Sequence, residues 1–236
     1  MDLLQIKDHI LFEDSDILVL KKPAGIPVQS GRVSAWDLES MLNNYLGSAQ
    51  IHIIQRLDQN VEGLMVWAKT AKAAAHLTGQ LGSGKLKKTY LAVCQKEGSL
   101  SLQNFGTVPG LWQELTDYLS RDFKNNCSFI SHAKDKKAKK AHLSYRILSE
   151  NEKYVCVEIL LDTGRHHQIR VQMAHAGLPL YGDRKYNPCY MQKSAGEAEK
   201  GNLALCAAAL TFVHPSTGKQ MSFSVEPENP VFGLFG

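Results

Sequence analysis

The sequence predicts an α+β fold built on a mainly antiparallel sheet. Apolar runs of strand length outnumber helical patterns along the chain. Most links between successive runs are shorter than the dozen or so residues that a parallel crossover needs. The 236 residues and 44% hydrophobic content suit one domain, or one domain with two lobes, around a substantial core.

In chain order, Ile17-Leu18-Val19-Leu20 reads as the first strand and runs into Lys21-Lys22-Pro23-Ala24-Gly25, where Pro and Gly demand a turn or loop. Asp37 to Leu46 predicts a short helix with Leu38, Met41, Leu42 and Tyr45 on one face. Leu64 to Ala68 reads as a buried strand, and Thr70 as the cap of a helix from Ala71 to about Leu81. Thr89 to Cys94 is another strand. Residues 98–140, with Gly98, Gly106, Pro109, Gly110 and Asn125-Asn126, predict a loop-rich insertion with short strands. His142 to Leu148 and Tyr154 to Leu161 read as paired strands with Asn151 in their turn. Asn187 to Gly201 is expected as a loop. Leu203 to Val213 and Met221 to Val225 form a last pair around Pro215-Ser216-Thr217-Gly218.

Two segments carry chemistry. In Gln55-Arg56-Leu57-Asp58 an apolar run (Ile51, Ile53, Ile54) meets an Arg and an Asp two residues apart, before Gly63 and a second apolar run. In extended chain, residues i and i+2 share a face. A carboxylate held beside a guanidinium stays ionised and serves as nucleophile or base. From those residues alone a purely structural Arg–Asp pair is the favoured reading, since structural ion pairs are common. The second segment is Leu161 to Gly177. Thr163-Gly164 marks a turn, and from about His166 the spacing of Ile169, Met173 and Ala176 predicts a helix closed by Gly177 and Pro179. Arg165 in the turn and Arg170 on the helix are two cations beside a helix start, a natural anion site.

Together these segments resemble the RluA-type pseudouridine synthases. That family carries His-Arg-Leu-Asp then Thr-Ser-Gly, where this chain has Gln55-Arg56-Leu57-Asp58 and Val61-Glu62-Gly63. It carries Thr-Gly-Arg-x-His-Gln-Ile/Leu-Arg and Gly-x-Pro-x-x-Gly-Asp, matched by Thr163 to Arg170 and Gly177 to Asp183. Lys22-Pro23-Ala24-Gly25, Lys88-Thr89-Tyr90 and His214-Pro215 match three further motifs in family order. The resemblance implies the pseudouridine synthase fold, a long mixed sheet with flanking helices and a central cleft. It also implies one catalytic domain over 1–236 without a separate N-terminal RNA-binding domain.

The implied reaction breaks the uridine C1′–N1 bond, turns the base and forms a C1′–C5 bond. It requires no cofactor and no metal. By resemblance Asp58 is the catalytic carboxylate, Tyr90 stacks on the uracil or serves in base chemistry, and Arg170 pairs with the Asp. Arg56 helps flip the uridine or holds its phosphate. Arg165, His167, Gln168 and Lys88 are expected at the RNA, the first three also as turn support. Read without the resemblance, Tyr90 is a core tyrosine and Arg170 a surface arginine. Adjacent His166 and His167 do not converge on a metal, because neighbours on a helix face apart and no further ligand has zinc spacing. The lysine-rich run 134–140 reads as a phosphate-contacting patch or as a solvated loop.

Two departures lie beside Asp58. Gln55 stands where the family has His, and Val61-Glu62 where it has Thr-Ser. Glu62 pointing into the cleft would disfavour the ionised Asp58 and repel phosphate, whereas pointing outward it would be harmless. These departures keep open a catalytically silent RNA-binding factor on the same fold. A glycosidase with Glu62 as its second carboxylate is a further alternative, but paired arginines suit polyanions better than neutral sugars.

Net charge is +4 with 27 basic and 23 acidic residues, which permits RNA binding without demanding it. Five scattered cysteines read as reduced thiols of a cytoplasmic protein. No apolar run approaches the ~20 residues of a membrane span, and the start carries no signal pattern. The expected partner is RNA, ribosomal or transfer, and a monomer is the default state.

Overall fold

The computed structural model describes residues 6–30, 36–47, 50–96, 110–191 and 203–235. The chain forms two compact units, Met1–Lys88 with Cys206–Pro227 and Thr89–Leu205 with Glu228–Gly236. Residues 98–109 of the expected insertion, and 192–201 from the expected loop, lie outside the described residues.

The first unit holds strands β1 (Ile10–Glu13), β2 (Ile17–Lys22), β3 (His52–Ile53) and β4 (Glu62–Ala68). It also holds helices α1 (Leu38–Tyr45) and α2 (Ala71–Gly82). β2 pairs antiparallel with β1 and β4, and β3 pairs with the far end of β4. The strand Leu205–Val213, β10 in chain order, is parallel to β4 and antiparallel to the last strand β11 (Gln220–Ser224). Every residue of β4 is buried, the mark of a strand covered on both faces. The core joins Ile17, Val19, Leu64, Val66, Leu77, Leu210 and Phe212.

The helices start where the sequence places their caps. Asp37 Oδ1 accepts from the Ser40 N–H and Thr70 Oγ1 from the Ala73 N–H. Gln80 on α2 both donates to and accepts from the backbone of Val213, at 2.7 Å each. The late His214-Pro215 motif is a clamp. His214 Nε2 bonds Asp14 Oδ2 at 2.8 Å, and its Nδ1 accepts from the N–H groups of Ser216 and Thr217. Asp14 Oδ1 receives the N–H groups of Asp16 and Ile17. Asp14, Asp16 and His214 lie close enough to suggest a cation site, yet both ring nitrogens of His214 are consumed within the protein.

The second unit is an antiparallel ladder in the order β5 (Lys87–Gln95), β9 (Tyr154–Leu161), β8 (Lys139–Glu150), β6 (Gln113–Asp122), β7 (Cys127–Ser131). Asn151 accepts from the N–H groups of Lys153 and Tyr154 and so forms the β8–β9 turn. Helix α3 (Gln168–His175) closes on Gly177, which takes φ +76°. A four-residue helix α4 (Pro188–Met191) stands at the start of the expected loop. The loop-rich insertion is corrected in its described part: β6 is ten residues long and β8 twelve, beginning at Lys139. The outward residues of β6 and of the start of β8 are polar and charged, so no apolar run announces them, whereas the rest of β8 contains the strand expected at His142 to Leu148.

Gly63 shows where backbone fixes identity. Its φ is +118°, and a Cβ there would lie 2.4 Å from the carbonyl oxygen of Ala207 on β10. That close approach sets the parallel pairing of β4 with β10. Gly63→Ala is expected to lower unfolding stability by at least about 2 kcal/mol. Urea unfolding checks this, and an unchanged midpoint would mean that β10 moves aside without cost.

Candidate active site

Asp58 stands at the head of a locked turn in the first unit. Its carbonyl accepts from the Val61 N–H at 3.0 Å, closing a turn over Gln59-Asn60. Leu57 is buried, Arg56 exposed and Asp58 half-buried, so the backbone turns Arg56 and Asp58 away from the core that takes Leu57. Gln59 binds the Lys22-Pro23-Ala24-Gly25 loop in both directions. Its carbonyl accepts from the Gly25 N–H at 2.8 Å and its side-chain amide donates to the Gly25 carbonyl at 2.9 Å.

Lys22 ties the two loops together. Its side chain is wholly buried, and Nζ donates to the carbonyls of Pro23, Ile26 and Gln59 at 2.9, 2.7 and 2.9 Å. Three acceptors match the three N–H bonds of an ammonium. Burial pulls the pKa of Lys22 down to about 7, against the opposing charges of Asp58 and Glu62. Below about pH 7 Lys22 carries a positive charge that opposes this acidic pair. Sequence reading assigned it no role, although its motif was visible, because a lysine ending a strand gives no sign of burial.

Glu62 does not take the outward alternative. It is 3% exposed, so it does not point outward into solvent, and its charge acts on Lys22. Gln55, the other departure, is half-buried. Its Nε2 reaches the Leu64 carbonyl at 3.4 Å, while Oε1 is buried without a partner among the described residues.

The second unit carries Tyr90 and Arg170. On β5, Lys88, Tyr90 and Ala92 are buried in alternation with Lys87, Thr89 and Leu91. Tyr90 pairs with Ile159, which pairs with Tyr145, a buried row across three strands. Arg170 is 8% exposed, far from a surface helix arginine. Its Nε and Nη2 donate to the two oxygens of Asp183, each at 2.8 Å, and its guanidinium lies 5.1 Å from the Tyr186 ring centroid. Asp183 also accepts from the N–H groups of Lys185 and Tyr186. The Gly-Asp motif thus supplies a carboxylate for Arg170 that sequence reading left without a role. Arg165 is the exposed cation of the turn before α3, its Nε on the Lys140 carbonyl.

His167 and Gln168 are buried. Gln168 accepts from Thr163 Oγ1 and the Arg165 N–H and donates to the His142 carbonyl, so it fastens the Thr163-Gly164-Arg165 turn to β8. His167 has φ +54° and its Nδ1 meets the Tyr186 hydroxyl at 2.7 Å. His166 stacks on His167 with ring centroids 3.8 Å apart and bonds Ser128 through Nδ1. The three RNA-side expectations for His167, Gln168 and Lys88 therefore meet buried side chains.

Two outcomes follow from these pairs. The unfolded chain holds a lysine proton that folded Lys22 sheds between about 7 and 10.5, so stability rises with pH across that window. Relative to Lys22→Met, the wild-type chain should gain on the order of 1 kcal/mol per pH unit in urea unfolding over that range. Parallel profiles would show that folded Lys22 keeps its proton. Asp183→Ala strands a buried guanidinium and is expected to cost about 3–5 kcal/mol. A loss below about 1 kcal/mol would mean that solvent reaches Arg170.

The sequence profile of the RNA pseudouridylate synthase family matches residues 16–175. Ribosomal large subunit pseudouridine synthase D of Zymomonas mobilis is 33% identical over 96% of this chain and 71% of its own length. Ribosomal large subunit pseudouridine synthase C of Buchnera aphidicola is 28% identical over 91% of the chain and 65% of its own length. Among solved structures, human RNA pseudouridylate synthase domain containing 4 aligns at a TM-score of 0.73 and 21% identity. That alignment covers 96% of this chain and 91% of that one, which establishes the shared fold. The chain belongs to the RNA pseudouridylate synthase family and isomerises uridine in RNA to pseudouridine.

Proposed function

We propose that Asp58 is the catalytic carboxylate and that the substrate is ribosomal RNA of the large subunit. The observation that carries the first reading is the turn at Asp58, locked through Gln59 to a loop organised by Lys22. Such anchoring suits a group that must meet one atom of a substrate, since misplacement of a reacting group costs rate steeply. The substrate reading rests on the relatives of this chain, which act on the large ribosomal subunit by name.

In this reading the target uridine leaves its stack and enters beside Asp58. The carboxylate acts as the uridine C1′–N1 bond breaks, the base turns, and a C1′–C5 bond forms as the C5 proton departs and N1 takes up a proton. Tyr90 holds the uracil by its π-face. Arg170 is the arginine that the family resemblance assigns to the catalytic carboxylate, and Arg56 holds a flanking phosphate. Lys22 balances Glu62, so the buried second carboxylate does not burden Asp58 with an unopposed charge. Both units serve one catalytic domain, since the family profile runs through each. The chain works as a monomer in a reducing cytoplasm, a setting that suits buried thiols at Cys94, Cys156 and Cys206.

The test is a pseudouridine map of cellular RNA from cells lacking the gene, complemented with wild-type or Asp58→Ala protein. Loss of sites in large-subunit RNA, restored by wild type alone, is expected, with purified Asp58→Ala slowed by more than about 10³-fold. An Asp58→Ala protein that still forms product overturns the assignment. A wild-type protein that binds RNA and modifies none would favour the silent factor, with Gln55 and Glu62 as the cause.

A further inference from the structure

The basicity of this chain resides in one stretch. Arg121 to Lys140 contains seven of the 27 Lys and Arg residues and two of the 23 acids, a net +5 against +4 for the whole chain. The rest of the chain therefore sums to −1. All seven cations are exposed: Arg121, Lys124, Lys134, Lys136, Lys137, Lys139 and Lys140. They lie on consecutive antiparallel strands, along β6, the turn to β7, the loop to β8 and the start of β8.

A solvated charged loop would have little internal structure. This arm is fastened throughout. Asp135 accepts from Ser120, Ser131 and the Lys137 N–H, and these bonds, led by that from Ser120, hold its carboxyl down to about 2. Asp122 accepts from Asn125 and from the N–H groups of Lys124 and Asn125. Both acids are thus committed to turns. Ser128 receives the turn before α3, bonding the His166 carbonyl, and its N–H donates to Tyr186. Lys185 donates to the Asn126 carbonyl at 2.6 Å. At the tip, Phe123 is 78% exposed with the Arg121 guanidinium 4.8 Å from its ring centroid. A cation fixed behind an exposed ring keeps the other ring face available to a base.

We propose that this arm, Arg121 to Lys140, docks the substrate RNA outside the modified uridine, with its lysines on phosphates and Phe123 stacked on an unpaired base. The assignment rests on the chain acting on RNA. Polyanion and exposed base are both needed to match it: the charge array fits a phosphate backbone, and the ring supported by arginine fits an unstacked nucleobase. A prefixed array also spares the ordering cost that a floppy lysine loop would carry on binding.

The experiment is fluorescence anisotropy of a labelled oligouridylate of about 15 nucleotides with the full chain over a salt series. Lys134→Ala, Lys136→Ala and Lys137→Ala together should reduce the slope of log affinity against log salt by about 2. Phe123→Ala should weaken binding about tenfold with the slope unchanged. Lys72→Ala, Lys85→Ala and Lys219→Ala remove as much charge from exposed positions of the first unit and should change neither. Wild-type slope and affinity in the arm variants overturn the proposal, as does an equal loss in the control. Product formation at saturating RNA separates this outcome from the catalytic reading. Weakened arm variants with unchanged turnover support docking, whereas an inactive wild type that still binds through the arm removes the catalytic reading alone.

Discussion

A buried ammonium sets the terms for the first unit. Taking a lysine charge wholly out of water costs several kcal/mol. Three hydrogen bonds from a charged donor return about 1.5–3 kcal/mol each. These bonds offset part of that cost and the lowered pKa records the remainder, so the yield of Lys22 is position rather than stability. Its three carbonyls come from both sides of the Pro23–Ile26 loop and from Gln59, the residue after Asp58. Neither loop can shift without exposing an uncompensated charge or an unpaired carbonyl. The carboxylate proposed for catalysis is thereby positioned through the backbone of its neighbour.

The two departures from the family motif meet at one place. Glu62 opens β4, and Gln55 reaches the carbonyl of Leu64 two residues further on, so both flank Gly63. Gly63 cannot carry a side chain because β10 passes within contact of it. A buried Glu where the family carries a hydroxyl lies within the field of Lys22, and the two groups act on each other electrostatically. A neutral Gln in place of His removes a group that would titrate near neutral pH. Here the charge balance rests on Lys22, Glu62 and Asp58 instead.

Local signals in the sequence account for much of this fold. Asp37 and Thr70 announce α1 and α2 because a cap needs a short acceptor side chain at one position, and Asn151 and Gly177 mark their turns for equally local reasons. The part of the ladder from β6 to the start of β8 is not legible in that way. Its strands carry Glu, Thr, Asp, Lys and Ser toward solvent, and strand pairing rather than apolar pattern makes them extended. At the site, motif order indicates Asp58, Tyr90 and Arg170. The residues that support them stay silent in the sequence, since Lys22 and Asp183 act through burial and long-range pairing. His167, Gln168 and Lys88 show the converse, polar residues that read as surface contacts yet lie in the interior.

The second unit separates two electrostatic tasks by exposure. Arg170 is paired with Asp183 in the interior, where a bidentate pair defines direction. The cations of the arm are all exposed, where each acts over a screening length of about 8–10 Å at physiological salt. With the remainder of the chain at −1, no overall field draws a polyanion to this protein. Attraction must be local to the arm, so its placement matters more than its sum. Ser128 and Tyr186 join that placement to α3, because one hydroxyl meets the His166 carbonyl and the other receives the Ser128 N–H while its ring lies under Arg170. The same short hydrogen-bond chain therefore orients a buried arginine and a surface of phosphate-seeking lysines.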